Sequence, residues 1–407
     1  MTVIQTLSDI GDVTGKKVIV RVDMNVPMRE GIITDDTRIT RVLPTIHHLH
    51  THGAKLVLLS HIGRPKGERR DDMSLAIVAE RLRDLLTGIS VQFVDDCIGD
   101  VVQQAVDALG HGDVLLCENL RFHAGEEAGD AAFAKQLAVY GDIYVNDAFS
   151  CSHRAHASIT GLPAYLPAYV GEAMRAELEA LDGVFAHPIP PVAALVGGAK
   201  VSTKMALLEH LVEHMAYVMI GGGMANSFLH AQGHAVGASL CEPDLAPLAR
   251  SIMDKAKASG CTLLLPQDVV VAKKFAAHAP SRIVSVDAIA DDEMALDIGP
   301  ATIDAWSQAI KASNIVVWNG PVGAFETPPF DVGTVSLARI IAAQTQAGQL
   351  VSVAGGGDTV SALSHAGLTE AMSYLSTAGG AFLEWLEGKP LPGVAALKAA
   401  ADTRLAG

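Results

Sequence analysis

Apolar residues are concentrated in short continuous runs, and longer stretches with helical spacing separate these runs. In the first half of the chain the runs are rich in Val, Ile and Leu: KKVIVRVD, KLVLLSH, VQFVDD, DVLLCENLRF and DIYVNDAFS. The second half repeats the pattern with PVAALVGG, YVMIGGG, TLLLPQD, NIVVWNG and LVSVAGGG. Continuous apolar runs joined by helices are typical of parallel strands buried on both faces. The pattern therefore predicts an α/β fold with two doubly wound, Rossmann-like parallel-sheet domains.

A break between the two series of runs predicts the domain boundary. The chain has 407 residues, more than a single hydrophobic core usually holds. The proline-marked GLPAYLPAYVG (161–171) indicates a loop, EAMRAELEALDG (172–183) a connecting helix, and HPIPP (187–191) the entry to the second domain. The predicted parts are a first domain over 1–170, a hinge helix over 171–187, a second domain over 188–389, and a helical tail over about 390–407 with the first domain as its expected docking partner.

Composition and charge narrow the class of protein. The chain is 49% hydrophobic with a mean hydropathy of +0.29, yet no apolar run approaches the roughly 20 residues that span a bilayer. The opening MTVIQTLSDIGD lacks a signal-peptide pattern, and the five cysteines are scattered without disulfide or metal spacing, so we expect a cytoplasmic protein with reduced thiols. The net charge of −15 argues against nucleic-acid or membrane partners, which need a broad positive field.

Polar residues follow the predicted strands of the first half. In open parallel sheets the ligand lies beyond the carboxyl ends of the strands. Several arginines gathered there would repel one another unless an anion bound between them, so a small ligand with phosphate and carboxylate groups is favoured over separate surface salt bridges. The candidate residues are Asp23, Asn25, Arg38, His61, Arg64, Arg121 and Arg154.

The stretch SCSHRAHAS, residues 150–158, admits three interpretations. Cys151 could be a nucleophile, Cys151 with His153 and His156 could hold a metal, or Arg154 could bind an anion with the imidazoles in support. No nucleophile signature surrounds the cysteine and no fourth metal ligand is evident, so the anion site is favoured. The tract HHLHTH (47–52) places two histidines one helical turn apart, but its position away from strand ends favours a solvated helix face.

Three glycine turns in the second half suggest a phosphate cradle. Lys200 and Lys204 of GGAKVSTK are expected one turn apart in the first turns of a helix, beside its free N–H groups. GGGMANS (221–227) and GGGDTVS (355–361) also follow strands, and Asp358 is a candidate Mg²⁺ ligand with Thr359 near the phosphate. Neither the dinucleotide fingerprint nor the Walker loop is present. An acid-phosphate site and a polyphosphate site together predict phosphoryl transfer, with hinge closure expelling water.

The motifs taken together resemble the phosphoglycerate kinase family. They run in order along nearly the whole chain: RVDMNVP, SHIGRPKG, ENLRF, DAFSCSHRAHAS, GGAKVSTK, GGGMANSFL, WNGPVGAFE, GGGDT and STAGGAFLEWLEG. The resemblance implies reversible phosphoryl transfer from 1,3-bisphosphoglycerate to ADP, in line, in a cleft closed by hinge motion, by a cytoplasmic and monomeric glycolytic enzyme that uses Mg²⁺.

The resemblance also implies a role for each matching residue. Arg38, Lys200 and Lys204 would stabilise the migrating phosphoryl group, and Asp358 would hold Mg²⁺. The implied phosphoglycerate ligands are Asp23, Asn25, Arg38, His61, Arg64, Arg121 and Arg154. The implied nucleotide ligands are Lys200, Lys204, Gly299, Asn319, Glu326, Gly356, Gly357, Asp358 and Thr359, with Glu326 on the ribose.

Two departures from the family pattern bear on the site. Cys151 stands where another small residue is expected, which would add thiol sensitivity if that thiol were exposed. Ala378 replaces a glycine in STAGGA, so the loop would be strained if this position required positive φ. The alternatives to this function are another small-molecule carboxylate kinase and a non-catalytic nucleotide-binding protein of the same fold.

Overall fold

The computed structural model describes residues 4–405, with side chains as far as residue 402. Residues 1–3 of the opening segment and 406–407 of the tail therefore lie outside the described residues. The chain divides into two compact units. The first comprises Met1–Leu178 and Pro390–Gly407, and the second comprises Glu179–Lys389. The boundary at residues 178 and 179 falls within the helix Glu172–Phe185.

The first unit contains the strands β1 (Lys17–Val22), β2 (Met28–Arg29), β3 (Ile32–Ile33), β4 (Lys55–Leu59), β5 (Val91–Val94), β6 (Val114–Cys117), β7 (Ile143–Asp147) and β8 (Ala168–Val170). Six of them form a parallel sheet of order β5-β6-β4-β1-β7-β8, and β2 and β3 form a separate hairpin. The helices over this stretch are α1 (Thr37–Thr51), α2 (Ala76–Leu85), α3 (Asp100–Asp107), α4 (Ala124–Glu127), α5 (Ala131–Ala138) and α6 (Glu172–Phe185).

Burial explains why these runs form strands and helices. Val18, Ile19 and Val20 of the central strand β1 are all fully buried, so both faces of the sheet are covered. Helix α1 buries Ile39 and Ile46, seven residues apart, on its sheet-facing side. Strand β1 pairs in parallel with β4 and β7, which brings the carboxyl ends of all three to one edge.

The second unit contains the strands β9 (Val192–Val196), β10 (Tyr217–Ile220), β11 (Thr262–Leu264), β12 (Asp268–Ala272), β13 (Ser281–Ser285), β14 (Met294–Ile298), β15 (Ile315–Asn319), β16 (Val351–Gly355) and β17 (Tyr374–Ser376). It repeats the plan of the first unit with a six-stranded parallel sheet of order β11-β10-β9-β15-β16-β17, to which an antiparallel sheet of order β13-β12-β14 is added. Its helices are α7 (Met205–His214), α8 (Gly223–Gln232), α9 (Ala246–Ser259), α10 (Pro300–Lys311), α11 (Val332–Gln346), α12 (Gly357–His365) and α13 (Gly379–Leu386).

The fold class predicted from the apolar runs is confirmed, and one local prediction is wrong. Residues 161–171 were expected to form a loop, but β8 occupies Ala168–Val170 and pairs with β7. Two prolines hide this three-residue strand in the sequence, because its identity depends on the partner strand rather than on local pattern. The small antiparallel sheet and the β2–β3 hairpin were not predicted either.

The tail forms helix α14 (Pro392–Leu405), which belongs to the first unit. The backbone N–H of Gly393 donates to the carbonyl oxygen of Ser152, 2.9 Å away. A Cβ on Gly393 would approach Ile159 and Ser152 within 3 Å, so glycine permits this close contact. Within the part of the chain that the structure describes, no helix combines the length and apolarity needed to cross a bilayer.

Candidate active site

At the carboxyl edge of the first sheet, Asp23 follows β1 and anchors a polar cluster. Its Oδ2 accepts from Arg38 Nη1 at 2.7 Å and from the Ser150 hydroxyl, and its Oδ1 accepts from the N–H of Asn25 at 3.1 Å. Burial by itself would raise the pKa of Asp23, but His61, Arg38 and the Ser150 hydroxyl together hold that pKa below its usual value. Asp23 is therefore ionised and fixes Arg38, the second residue of α1.

His61 lies deep in the same cluster. Its Nδ1 is 3.2 Å from Nη2 of Arg21, and a guanidinium can only donate, so Nδ1 accepts and the proton of a neutral ring sits on Nε2. Burial, opposed by Asp23 and reinforced by Arg21, Arg121 and Arg154, sets the pKa of His61 well below its usual value. The ring is therefore neutral at physiological pH and carries an N–H that can donate to a ligand.

Arg21 is fully buried and was not among the predicted site residues. Its Nε donates to the Ser158 hydroxyl at 2.8 Å, and that hydroxyl donates to Glu126 Oε1 at 2.6 Å. Glu126 also accepts from the N–H of Ser158 at 2.9 Å. This network ties β1 to the 150–158 segment, and its signal in the sequence is a single arginine inside an apolar strand.

Two of the predicted residues, Asn25 and Arg121, are joined through the backbone of Gly63. Asn25 Oδ1 accepts from the N–H of Gly63 at 2.9 Å, and Arg121 Nη1 donates to its carbonyl at 2.7 Å. Arg121 is 3% exposed and lies 3.2 Å from Glu127. Arg64 is exposed one residue later, and no side chain between residues 4 and 402 forms an ion pair with it.

The 150–158 segment is ordered by the same network. Arg154 is half-buried and its Nε donates to His153 Nε2 at 3.1 Å, with no acidic partner among the described side chains. His156 is buried, and burial followed by the charge of Arg121 lowers its pKa to about 3. The metal interpretation fails, because no three-ligand group within the described residues contains both histidines with Cys151.

The expected thiol sensitivity of Cys151 is also not supported. The side chain is 4% exposed, and burial raises its pKa despite the Arg21 guanidinium 3.7 Å away. A reactive cysteine needs a stabilised and accessible thiolate. Cys151 is instead a small buried residue that packs with Ala148 and Ile159.

In the second unit, the two predicted lysines lie before a helix and not within it. Lys200 is extended and exposed, residues Val201–Thr203 form a 3-10 turn, and Lys204 precedes α7 as its N-cap. The expectation of an i, i+4 pair in the first helical turns is therefore wrong, because the chain must leave the glycine turn before α7 begins. Lys204 Nζ instead donates to the carbonyls of Gly197 and Asn319, at 2.7 and 3.0 Å.

Burial lowers the pKa of Lys204 to about 8, although the nearby Asp358 carboxylate partly opposes this shift. Close backbone packing creates the burial. A Cβ on Gly197 would lie 1.9 Å from the carbonyl oxygen of Pro321, and Gly320, at φ +101°, would place one 2.2 Å from the oxygen of Gly197. Only glycine fits at these two positions, so the turns after β9 and β15 lie backbone to backbone under the lysine.

An apolar cavity of about 430 Å³ lies beside these turns, within the size range of small-molecule sites. The glycine turns form one side, and Glu326 and Asp358 lie on its lining. Its apolar walls were not identified from the sequence, because they come from separate elements of the second unit. They include Leu240, Val269, Phe275, Leu296, Val322 and Phe325.

The remaining predicted residues lie around the cavity in different ways. Asp358 is exposed in the first turn of α12, directly after Gly356 and Gly357. Thr359 is buried, and its hydroxyl accepts from the N–H of Gly320 at 2.7 Å and donates to the Gly355 carbonyl at 2.8 Å. That hydroxyl therefore joins two turns and has no proton left for a ligand.

Gly299 and Asn319 are not among the residues that line the cavity. Gly299 packs against Asp268, whose carbonyl accepts its N–H at 2.9 Å. Asn319 donates from Nδ2 to the Gly355 carbonyl at 2.9 Å, while its buried Oδ1 has no hydrogen-bond partner among the described residues. Asn319 therefore carries an unused acceptor at the end of β15.

Comparison with known proteins gives one consistent result. The family model described as phosphoglycerate kinase matches residues 7–389. The phosphoglycerate kinase of Sphingopyxis alaskensis is 56% identical over 399 residues, 98% of this chain and 100% of the relative, and that of Methylobacterium radiotolerans is 57% identical over 399 residues, again 98% and 100%. The structure of phosphoglycerate kinase from Coxiella burnetii matches with a TM-score of 0.91 at 40% identity, covering 98% of this chain and 100% of the other.

The chain belongs to the phosphoglycerate kinase family. It is a phosphotransferase with a carboxyl-group acceptor, and it transfers a phosphoryl group reversibly between 1,3-bisphosphoglycerate and ADP in glycolysis. A crystal structure from Pyrococcus horikoshii, with a TM-score of 0.82 at 30% identity and coverage of 98% and 99%, shares the fold. Neither another carboxylate kinase nor a non-catalytic protein is favoured. Phosphoglycerate kinases use ADP or ATP together with Mg²⁺.

The second departure from the family pattern has no strained geometry. Ala378 adopts φ −85° and ψ 13° as the N-cap of α13, so positive φ is not required there. The positive φ falls instead on Gly379, at +29°. The alanine in STAGGA is therefore compatible with this phosphoglycerate kinase fold.

Proposed function

We propose that the cluster in the first unit binds the phosphoglycerate substrate. The observation that carries this assignment is a local excess of cations in a chain of net charge −15. Arg64 and Arg154 have no acidic partner among the described residues. Arg121 has one acidic partner among them, the exposed Glu127. Guanidiniums present a fork that matches phosphate and carboxylate oxygens. An acid that carries both a phosphate and a carboxylate group therefore fits the unpaired charge.

Three other residues of the cluster, His61, Asp23 and Asn25, would orient the rest of that substrate. His61 can donate from Nε2, because Arg21 occupies its Nδ1. Asp23 and Asn25 follow the same strand, β1, and carry oxygens that can accept hydrogen bonds from a hydroxyl group. Guanidinium groups, an imidazole N–H and side-chain oxygens would thus bind the phosphate, carboxylate and hydroxyl groups of the substrate.

Arg38 is assigned to the migrating phosphoryl group. Its side chain is 33% exposed, and Asp23 engages Nη1 at 2.7 Å, so the remaining N–H groups are available to a ligand. Phosphoryl transfer spreads negative charge over the equatorial oxygens, and a preorganised cation stabilises that charge. Lys200 and Lys204 would act on the same group from the nucleotide side.

We assign the apolar cavity of the second unit to the nucleotide. Its walls suit a planar base, and the exposed Glu326 on its lining can accept from ribose hydroxyls. The amides at the start of α12, at Gly356, Gly357 and Thr359, would face the phosphates. Asn319 would contribute its unused Oδ1, and Gly299 would act only through the packing of the adjacent turn.

Asp358 fits the Mg²⁺ that the family uses. A hard cation prefers oxygen ligands and retains several waters, and this carboxylate is exposed, lies on the cavity lining and makes no ion pair with any described side chain. When bound, Mg²⁺ would neutralise charge on the nucleotide phosphates.

The transfer itself needs both ligands in one place, although each half-site is described within its own unit. We propose in-line transfer after a hinge motion at residues 171–187. Asp147 and Thr45 fix the start of α6, since Asp147 Oδ1 accepts from the N–H of Met174 and the Thr45 hydroxyl accepts from that of Glu172, both at 2.8 Å. A radius of gyration that stays constant in solution scattering when both ligands are added would contradict this motion.

The cytoplasmic location and the monomeric state of the enzyme stay predictions.

Titration calorimetry tests the two half-sites separately. The unmodified enzyme should bind both 3-phosphoglycerate and MgADP. Arg154→Ala should weaken the binding of 3-phosphoglycerate and leave the binding of MgADP unchanged. Glu326→Gln should weaken the binding of MgADP only. Arg70 is exposed and paired with Asp72, so Arg70→Ala should change the affinity for neither ligand. Unchanged acid binding by Arg154→Ala would contradict the assignment of the 150–158 segment.

A further inference from the structure

Helix α7 ends in the stretch HLVEH, residues 210–214, which the phosphoryl-transfer site does not use. His210 and His214 are one helical turn apart on one face, and their ring centroids are 4.2 Å apart. His210, Glu213 and His214 each offer one ligand atom, and these three atoms all lie within 4.8 Å of one another. Small side-chain rotations would bring them to a common ion.

The hydrogen bond at His214 prepares that ring for coordination. Nδ1 is 2.8 Å from the carbonyl oxygen of His210, which can only accept, so Nδ1 carries the proton. The Nε2 lone pair is then available. Metal-ligating histidines characteristically donate their other N–H to a carbonyl or carboxylate, which fixes the tautomer and ring orientation.

His210 is held in place by packing. Its ring centroid is 5.1 Å from that of Phe185, which in turn is 4.8 Å from that of Trp385. Gly388, at φ +72°, approaches so closely that a Cβ there would be 2.5 Å from Cε1 of His210.

Glu213 is accessible to an ion at low cost. It pairs with Lys255 at 3.0 Å, but the two side chains are 46% and 37% exposed. Exposed pairs of this kind contribute little free energy, so a divalent ion can displace the ammonium. The site would then offer two imidazoles and one carboxylate, with water completing the coordination.

We propose that His210, Glu213 and His214 form a binding site for a borderline divalent transition-metal ion such as Zn²⁺ or Ni²⁺. Imidazole nitrogen suits these ions, whereas Mg²⁺ prefers an all-oxygen environment. The site is distinct from the Mg²⁺ ligand assigned to Asp358 and does not depend on that assignment. Phe185 and Gly388 lie close to the two places where the chain passes between the units, at residues 178 and 389. The ion would therefore stabilise the segments next to both crossings.

A second histidine pair provides a matched control. His48 and His52 of α1 have ring centroids 4.6 Å apart, and His52 Nδ1 lies 2.7 Å from the His48 carbonyl oxygen. Within the described residues this pair joins no three-ligand group. The two pairs share helical spacing and tautomer, so the proposal requires the 210–214 site to bind more tightly.

Calorimetric titration of the full-length, metal-free protein with Ni²⁺ tests the site. His214→Ala removes an exposed ligand together with its ring contacts to Phe185 and His210, and Glu213→Gln removes the carboxylate charge while keeping the side-chain size. Loss of an outer-shell partner alone typically weakens metal binding roughly 10–100-fold, so His214→Ala should weaken it at least about tenfold. His52→Ala should leave the tight binding event unchanged. Equal affinity in His214→Ala and the unmodified protein, or no binding by the latter, would overturn the proposal.

Trp385 locates the bound ion independently. Trp306 and Trp318 are each 1% exposed in the core of the second unit, whereas Trp385 lies against Phe185 next to the histidines. Ni²⁺ should quench the fluorescence of Trp385 with the same midpoint as the calorimetric binding. Trp385→Phe should lose the quench and retain the binding. A quench that persists in Trp385→Phe would place the ion elsewhere and overturn the proposal.

Discussion

The two half-sites, each of which we propose to bind phosphate, are built from different parts of the chain. The first unit uses side chains held by a buried polar network in which Asp23 fixes Arg38 and Arg21 fixes His61. The second uses backbone, packed so closely at Gly197 and Gly320 that no Cβ fits, with Lys204 laid across it. The first site therefore presents guanidinium groups of fixed orientation, and the second presents backbone amides and a lysine ammonium.

The difference follows from what each half-site is proposed to hold. A small acid has a fixed set of carboxylate, hydroxyl and phosphate groups, which rigid guanidiniums and a neutral imidazole can distinguish. A polyphosphate chain presents many equivalent oxygens, which backbone N–H groups can follow. Substitutions in each half-site should therefore have different effects on turnover, stability and pH dependence.

The largest effect is expected from Arg38→Ala in the first unit. Arginines acting on a transferring phosphoryl group contribute roughly 10³–10⁵ in rate, so kcat should fall by that order. The Kd of MgADP should not change, because the nucleotide cavity lies wholly in the second unit. Steady-state kinetics with calorimetry measures both. Arg70→Ala is the control, and normal turnover by Arg38→Ala would remove this residue from the mechanism.

Next in size is the effect of Arg21→Met on stability. Methionine fills similar space but leaves the fully buried Glu126 without its link through Ser158. Removing one partner of a buried charge network costs about 3–5 kcal/mol in the free energy of unfolding. Denaturant unfolding measures this. Adding Glu126→Gln should recover part of the loss, and a double variant no more stable than Arg21→Met would contradict the coupling.

In the second unit, Gly320→Ala should weaken both nucleotide binding and folding. The residue has φ +101° and no space for a Cβ, and such backbone strain costs about 1–3 kcal/mol, with the clash in addition. Gly348→Ala is the control, since its φ is +68° with nothing within 4 Å of the added atom. Equal loss of stability in the two variants would show that close backbone approach is unimportant.

The pH dependence should differ between the half-sites because Lys204 has a pKa lowered by burial to about 8. In the free enzyme this side chain is a cation below that pH and neutral above it. If the cation is required, kcat/KM should fall as pH rises through 8, by about tenfold per further pH unit. Lys204→Arg, which stays charged, should abolish the alkaline fall. An unchanged profile in that variant would assign the fall to another group.

The smallest effect is expected from Ala378→Gly, which restores the glycine of the family motif. Since Ala378 sits at negative φ, the substitution relieves no strain. Glycine is a better N-cap than alanine but costs more conformational entropy, and because these effects oppose each other, stability should change by less than about 1 kcal/mol. Thermal unfolding and kcat together measure this. A large gain in either would show that the loop is strained in the native enzyme.

The sequence by itself determined the fold class, because continuous apolar runs that alternate with helical stretches are typical of strands buried on both faces of a parallel sheet. It also determined which residues stand at strand ends: Asp23 after β1, Arg121 after β6 and Asp358 after β16 occur where the apolar runs stop. These positions are local properties. The ends of the buried apolar runs set these positions, and no knowledge of which strands pair is needed to locate them.

Only the tertiary structure decided the states of those residues. The tautomer of His61 depends on Arg21, forty positions earlier, and the burial of Cys151 depends on the network that orders its segment. The start of α7 after Lys204, and the strand β8, likewise depend on distant partners. The physical reason is that protonation and strand pairing are set by neighbours in space, and sequence patterning reports only neighbours along the chain.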